Sequence, residues 1–136
     1  MTVRVYLDAV TVIYLFEGSP HRSQQVRSLI GRVDATLVAS ELSRMECLVR
    51  PLREGQVSLV DEFVSFFDTE VDEMVDLDRR VMERAARVRA DHGYKTPDAI
   101  HLAAALESKC DVFLTNDDRL RQTGGISIEV LKRIVP

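Results

Sequence analysis

Hydrophobic and polar residues alternate along the chain in a pattern that changes between strand and helix periods. Val3–Leu7 is a short apolar run of the kind that forms a buried strand. Helical positions follow up to a break at Glu17-Gly18, and Ser19-Pro20 then supplies the N-cap and first-turn residues with which helices begin. The helix that starts there would bury a stripe made of Val26, Leu29, Ile30 and Val33. The chain therefore begins with one strand followed by helices.

The middle of the chain continues with a second strand and two helices. Ala35–Ala39 is a candidate for a buried strand, and Ser40 can cap the helix after it. We expect that helix to end near Arg50-Pro51, because a residue before proline disfavours the helical conformation. Val71–Leu77 is an ambiguous short strand. Before it, a helix is predicted from apolar residues at helical spacing, which need only form core: Val57, Val60, Phe63, Val64 and Phe67.

The last part of the chain repeats the alternation of helix and strand. Asp78 can cap a long helix that Gly93 closes, and Thr96-Pro97 opens another helix. Two further strands are predicted at Asp111–Thr115 and Ile126–Val130. Alternating β and α segments imply an α/β fold, in which helices cover both faces of a parallel sheet, and residues 1–136 are expected to form a single domain. In such sheets, ligands bind beyond the carboxyl ends of the strands.

Composition places the chain among ordinary globular proteins. Its 136 residues are 46% hydrophobic and 29% charged, and no apolar run approaches the roughly 20 residues that span a bilayer. The apolar run at the start of the chain is too short for a signal peptide and is followed directly by the polar Asp8. We therefore expect a cytoplasmic protein without a membrane partner. Cys47 and Cys110 are expected to be buried, reduced thiols. The net charge of −4 argues against coating nucleic acid by charge alone, but allows an enzyme that binds it through metal ions and a local basic rim.

Acidic residues occupy the positions where the predicted fold would bind a ligand. Asp8 follows the first strand, and Asp117 follows a later one. Asp98 lies in the first turn of the helix that Thr96-Pro97 opens. Each has an ordinary structural alternative, because aspartate is common in turns and an acid in a first helical turn stabilises the helix dipole. The position of these acids at one edge of the sheet is more informative than any of them alone.

A fourth acid, Glu46, lies on the helix after the second strand. At about 100° per residue, Glu46 is about 40° from Leu42, on or beside an apolar face to which Met45 and Val49 also belong. A carboxylate is costly to bury unless it is paired or coordinated. Several carboxylates can converge only if cations neutralise them, and Mg²⁺ or Mn²⁺ suits an all-oxygen site. Two such ions can activate water and stabilise the leaving oxygen in phosphodiester cleavage.

The four acidic segments resemble, in order, the motifs of the PIN-domain family and of its VapC-type toxins. Residues 6–8, followed by residues 12–15, resemble the opening motif, and residues 40–47 with 49–53 resemble the second acidic motif. Residues 96–103 resemble the third, and residues 114–117 with Arg119-Leu120 resemble the fourth. The resemblance covers nearly the whole chain.

This resemblance implies a three-layer α/β/α fold and an endoribonuclease whose acidic residues bind Mg²⁺ or Mn²⁺. By position, those residues would be Asp8, Glu46, Asp98 and Asp117. VapC-type toxins are usually homodimers, and a cognate VapB-like antitoxin silences them by placing its tail in the acidic site. The resemblance therefore implies RNA as the substrate and an antitoxin as a partner.

One departure from the family pattern bears on activity. The family commonly has a small polar residue two places after the first aspartate, where this chain has Val10. Thr11 is the nearest hydroxyl, and loss of a hydrogen bond to the ligand aspartate would weaken metal orientation. A PIN fold that binds RNA or protein with weak or no catalysis therefore stays as the alternative.

Other residues near the motifs are candidates for supporting roles. His101 lies one turn after Asp98 and could be a general base, a hydrogen-bonded partner of a ligand, or core. Thr115 and Asp118 flank the last motif and could also hold the ligands in place. Single-stranded or looped RNA is the expected substrate, since its phosphates can reach a recessed site. Candidates to bind those phosphates are Arg44, Arg50, Arg53, Arg119 and Arg121.

Two other classes of protein fit the pattern less well. A receiver-like signalling domain needs paired acids after the first strand and an aspartate after the third, which this chain does not supply. A haloacid-dehalogenase-like phosphatase needs Asp-x-Asp after the first strand, whereas the chain has Asp8-Ala9-Val10.

Overall fold

A computed structural model describes residues 2–32, 34–120 and 124–133. Within these ranges the backbone forms one sheet of five parallel strands, in the order β3-β2-β1-β4-β5. The strands are β1 (Val3–Leu7), β2 (Ala35–Ser40), β3 (Glu73–Val75), β4 (Val112–Thr115) and β5 (Ser127–Val130). The central position of β1 brings the residues that follow it next to those that follow β2 and β4.

Helices cover both faces of this sheet, so the predicted three-layer α/β/α fold is confirmed. The α-helices are α1 (Ala9–Glu17), α2 (Pro20–Ile30), α3 (Glu41–Arg53), α4 (Val57–Ser65), α5 (Arg79–His92) and α6 (Thr96–Glu107). A π-helical turn, Phe66–Glu70, follows α4, and a 3-10 turn, Leu131–Arg133, follows β5. Within the described ranges, no helix combines the length and the apolarity needed to cross a membrane.

The strand side chains point alternately into two cores. Tyr6, Val38 and Phe113 pack with α5 and α6 on one face, and the Tyr6 and Phe113 rings stack with their centroids 5.1 Å apart. Leu7 and Leu114 pack on the other face with residues of α1, α2 and α4. The inner strands β1, β2 and β4 have neighbours on both sides and helices on both faces, which explains why their sequences are largely apolar. Cys47 and Cys110 are buried free thiols, as predicted.

The predicted helix boundaries are confirmed where a capping residue determines them. The Asp78 side chain accepts from the Val81 amide at 3.0 Å, and Gly93 ends α5 with a left-handed φ of 71°. Ser19 accepts from the Arg22 amide at 3.2 Å at the start of α2. Val33, which was predicted to extend the stripe of α2, lies outside the described residues.

The predicted end of α3 is wrong, because the helix continues through Pro51 to Arg53. Proline removes one backbone donor, but residues after it can still bond to carbonyls before it, as Glu54 N does to Arg50 O at 3.0 Å. The Pro51 ring is buried, so apolar packing favours its place inside the helix.

The predicted apolar face of α3 is also wrong. Its buried residues are Leu42, Ser43, Cys47 and Pro51, whereas Met45 is 52% exposed and Val49 is 42% exposed. The helix turns its small side chains towards α1, where the Cys47 thiol lies 3.5 Å from the Ala9 carbonyl oxygen, and this close approach leaves the larger apolar residues outside. Val57, which was predicted to be core, is 70% exposed at the start of α4.

Candidate active site

A pocket of about 550 Å³ opens at the carboxyl-terminal edge of the sheet. Residues after β1 and β4, together with the first turn of α6 and the middle of α3, form its walls. All four acids singled out in the sequence line this pocket: Asp8, Glu46, Asp98 and Asp117. The parallel direction of β1 and β4 explains why residues more than a hundred positions apart meet here.

Hydrogen bonds from two threonines hold the carboxylate of Asp8. Its Oδ1 accepts from the Thr11 amide at 3.1 Å and lies 3.0 Å from the Thr11 hydroxyl, so that Asp8 also caps α1. Its Oδ2 accepts from the Thr115 hydroxyl. Enclosure of the carboxylate raises the pKa of Asp8, and the hydrogen bonds from both threonines oppose that rise. Protein donors therefore hold the carboxylate of Asp8 from both sides.

Thr11 faces the site, which answers the question raised by Val10. Val10 is partly exposed on the pocket wall and offers no polar group, whereas the fully buried Thr11 points towards Asp8. The Thr11 hydroxyl also lies 2.9 Å from the Leu114 carbonyl oxygen, so its proton is shared between β4 and Asp8. The aspartate is thus oriented by hydroxyls from Thr11 and Thr115 in place of the usual residue.

Glu46 is bound to a buried histidine. Its Oε1 lies 2.6 Å from His101 Nε2, and the His101 Nδ1 lies 2.7 Å from the Tyr6 hydroxyl. That hydroxyl also bonds to Ser40 Oγ at 2.8 Å. The Glu46 side chain is 31% exposed, whereas that of His101 is 6% exposed. Of the alternatives left open by the sequence, the structure favours a hydrogen-bonded partner of Glu46.

Asp98 and Asp117 share one arginine. Arg119 donates to Asp117 from Nε at 2.9 Å and from Nη2 at 2.6 Å, and its Nη2 is 3.9 Å from Asp98 Oδ2. These hydrogen bonds from Arg119 hold the pKa of Asp117 below its ordinary value. Burial, and then the charge of Asp117, raise the pKa of Asp98. The surroundings therefore raise the pKa of Asp98 and lower that of Asp117.

The carboxylates share a pocket, but they do not converge on one point as the sequence analysis expected. Within residues 2–32, 34–120 and 124–133, no three histidine, cysteine, aspartate or glutamate side chains form a group that could hold a metal ion. The carboxylate of Asp117 instead faces Arg119, and that of Glu46 faces His101. The donor chemistry suits a hard cation, but Asp117 would have to exchange its arginine for it.

The other predicted arginines lie away from the pocket. Arg44 pairs with Asp68 at 2.8 Å, and Arg50 pairs with Glu17. Arg53 is exposed at the end of α3 and does not line the pocket, whereas Arg119 does. Arg121 lies outside the described residues.

Lys132 and Asn116 line the pocket but were not singled out from the sequence. Lys132 follows β5 and lies 3.2 Å from Asp118, which also lines the pocket. Asn116 donates to the Tyr14 hydroxyl at 3.0 Å and accepts from the Lys132 amide at 2.8 Å. Ligands bind beyond the carboxyl ends of parallel strands, and this rule also predicts Lys132, because β5 runs parallel to β4 and ends at the same edge of the sheet.

Comparison with known proteins gives one family match and several solved structures with a similar fold. A family model described as PIN domain matches residues 5–126. No curated protein matches the chain in a sequence comparison. Among solved structures, VapBC2 from Rickettsia felis bound to a promoter DNA fragment is similar with a TM-score of 0.75 at 12% identity, over 94% of this chain and 98% of that one.

Two further structures are similar. DNA-bound VapBC from Salmonella typhimurium has a TM-score of 0.71 at 19% identity, over 96% of this chain and 99% of that one. VapC20 from Mycobacterium tuberculosis, described as a sarcin-ricin loop cleaving toxin, has a TM-score of 0.67 at 13% identity, over 80% of this chain and 86% of that one. At these identities the similarity concerns the fold.

The pairing of Arg119 with Asp117 gives a prediction about pH. In the variant Arg119→Ala, the pKa of Asp117 should rise towards the ordinary aspartate value, because the largest cause of its depression is removed. In the wild type this carboxylate stabilises the fold above the pKa of the unfolded chain, and the contribution disappears as the pH falls through the lower folded pKa. NMR titration of the Asp117 carboxyl carbon measures the shift, with Arg53→Ala as the control. An unchanged Asp117 pKa in Arg119→Ala would show that the pair does not form in solution.

Proposed function

Because this chain belongs to the PIN domain family, we propose that it is a metal-dependent endoribonuclease, the toxin of a toxin–antitoxin pair. The observation that carries the proposal is that Asp8, Glu46, Asp98 and Asp117 line one pocket. Solved structures with the same fold include a toxin described as cleaving the sarcin-ricin loop. The chemistry of the pocket agrees with cleavage of a phosphodiester, since hard oxygen donors and two basic side chains line the same walls.

Mg²⁺ or Mn²⁺ held by carboxylates of this pocket, Asp8 among them, would supply activated water and neutralise the charge that develops on the phosphate. The protein's own part begins with Asp8. A carboxylate oxygen has two acceptor sites, and Oδ2 of Asp8 receives its hydrogen bond from Thr115, which leaves one site for a cation. The two threonines thus orient the carboxylate without exhausting its capacity to bind.

Arg119 and Lys132 supply positive charge on the rim of the pocket. The Arg119 side chain is 62% exposed and Lys132 is 46% exposed, so both can change conformation without disturbing the core. An arginine released from Asp117 would remain beside the pocket, where its planar guanidinium suits a phosphate oxygen pair. We assign to these two side chains the binding of RNA phosphates, in place of Arg44 and Arg50, which lie elsewhere.

Single-stranded or looped RNA is the substrate class we propose. The carboxylates lie on the walls of a pocket, and a scissile phosphate must enter it to reach them. An unpaired strand can present one phosphate in this way more easily than a regular A-form helix can.

A PIN fold that only binds RNA or protein is the competing proposal. It rested on Val10, which offers no hydrogen bond to Asp8. Thr11 and Thr115 supply hydroxyls to both carboxylate oxygens, and this observation favours the catalytic proposal.

An antitoxin is the protein partner we propose. One structure with a similar fold is described as a toxin–antitoxin complex from Klebsiella pneumoniae, and others are described as VapBC and FitAcB. In this chain the acidic pocket is complementary to a basic peptide tail, whose guanidinium groups could pair with Asp117 or Asp98 as Arg119 does.

A homodimer is also part of the proposal. Met45, Val49 and Leu52 lie at helical spacing on one face of α3 and are 52%, 42% and 62% exposed. Three large apolar side chains in one exposed row are unusual for a surface that faces only water. We propose that a second copy of the chain covers this row.

RNA cleavage tests the catalytic proposal. Purified protein without antitoxin should cut a pool of cellular RNA at discrete sites with Mg²⁺ or Mn²⁺, and excess chelator should abolish the cleavage. Asp98→Asn and Glu46→Gln should each reduce the rate roughly 100-fold or more, because even the partners of metal ligands matter about 10- to 100-fold. Glu41→Gln, on the same helix as Glu46 but outside the pocket, should cleave like the wild type.

The outcomes separate the two proposals. A folded protein that binds Mn²⁺ but cleaves nothing would support the binding-only alternative. Cleavage that survives in Asp98→Asn and Glu46→Gln would mean that the pocket is not the active site.

The dimer is tested by the molar mass in solution. The wild type should sediment as a dimer, and Val49→Asp should sediment as a monomer, because a buried unpaired charge strongly disfavours association. Met82→Asp is the matched control, since Met82 is 43% exposed on α5 and outside the row. A dimer that persists in Val49→Asp, or a wild-type monomer, would contradict the assignment of this surface.

A further inference from the structure

We propose that His101 is a positioning residue for the proposed reaction, which holds the carboxylate of Glu46 through its Nε2–H while Tyr6 fixes the other side of the ring. The inference rests on the proposed function and adds to it the role of a buried chain of three side chains. The chain runs from the Tyr6 hydroxyl to His101 Nδ1 over 2.7 Å, and from His101 Nε2 to Glu46 Oε1 over 2.6 Å. Only Glu46, at the end of the chain, is substantially open to the pocket.

The inner end of the chain is rigid. Tyr6 is fully buried at the centre of the sheet, where its ring stacks on Phe113 and meets the His101 ring edge-on at a centroid distance of 5.8 Å. Its hydroxyl bonds to Ser40 Oγ, a fully buried group at the end of β2. The histidine ring is therefore held by β1 and β2, and its outer nitrogen has a fixed direction.

The proton on the outer nitrogen follows from the chemistry of the partner. An ionised carboxylate only accepts hydrogen bonds, so His101 Nε2 carries hydrogen whenever Glu46 is charged. The bond uses Oε1, and among the described residues no hydrogen bond to the other oxygen of Glu46 is present, so that oxygen can bind a cation. Histidine–carboxylate pairs of this kind orient metal ligands, and the loss of one typically weakens metal binding about 10- to 100-fold.

This geometry separates a positioning role from the two other roles open to His101. A general base needs an unoccupied ring nitrogen that faces the substrate, and here both nitrogens are engaged by protein atoms. A core residue would need no contact with an acid on the pocket wall, yet the short bond to Glu46 joins α6 to α3 directly at the site.

Two variants of His101 distinguish these roles, because each preserves one end of the ring. His101→Gln keeps a donor near the position of Nε2, and His101→Asn keeps only a polar group near the position of Nδ1. Binding of Mn²⁺ to the full chain, measured by EPR of the free ion, should weaken roughly 10- to 100-fold in His101→Asn. His101→Gln should stay within about threefold of the wild type, and His92→Gln, on an exposed histidine, should bind Mn²⁺ like the wild type.

Equal weakening in His101→Asn and His101→Gln, at equal melting temperatures, would overturn the proposal, as would wild-type binding in His101→Asn. If both variants unfold, the ¹⁵N NMR spectrum of the wild-type imidazole provides the test without metal or RNA. Glu46→Gln should then shift the His101 Nε2 resonance, whereas Glu41→Gln should not, and an unchanged Nε2 resonance in Glu46→Gln would refute the pairing. Because these readouts need no RNA, intact pairing without RNA cleavage would refute the proposed function alone.

Discussion

The carboxylate of Asp8 is the group around which the site is built. An enclosed carboxylate is destabilised unless donors surround it, and here the donors come from Thr11 at the start of α1 and Thr115 at the end of β4. Thr11 reaches Asp8 as part of the local helix cap, whereas Thr115 is in place only if β1 and β4 lie side by side in parallel register, with Leu7 opposite Leu114. The hydrogen bonds to Asp8 thus connect the sheet topology to the geometry of the pocket, and the other acids take their places relative to this fixed point.

Charge balance explains the rest of the pocket. Four carboxylates line one pocket in a chain whose net charge is −4. Two groups face the three outer acids: His101 bonds to Glu46, and Arg119 pairs with Asp117 and, at longer range, with Asp98. The Arg119 side chain is 62% exposed, whereas hydrogen bonds hold Asp8 and His101 from two sides.

Much of this could be predicted from the sequence, because strand periodicity and capping residues are local signals. The capping roles of Asp78 and Gly93, and the location of Asp8 at the end of a strand, can be predicted without tertiary information. The predictions for α3 are wrong because tertiary packing determines its buried face and its end. Which face of α3 is buried depends on how closely Cys47 approaches α1, and a helical wheel carries no information about that distance. Continuation of the helix through Pro51 depends on burial of the proline ring. The bond from His101 to Glu46 joins residues 55 positions apart, and no spacing rule connects them.

The most direct test of the account is the position of Mn²⁺ in a crystal of the purified chain, located by its anomalous scattering. The account predicts a peak in the pocket in contact with Asp8, with Thr11 and Thr115 still bonded to that carboxylate and with Arg119 moved away from Asp117. A peak elsewhere, or a pocket in which Arg119 still holds Asp117 and no metal contacts Asp8 at a saturating Mn²⁺ concentration, would contradict it.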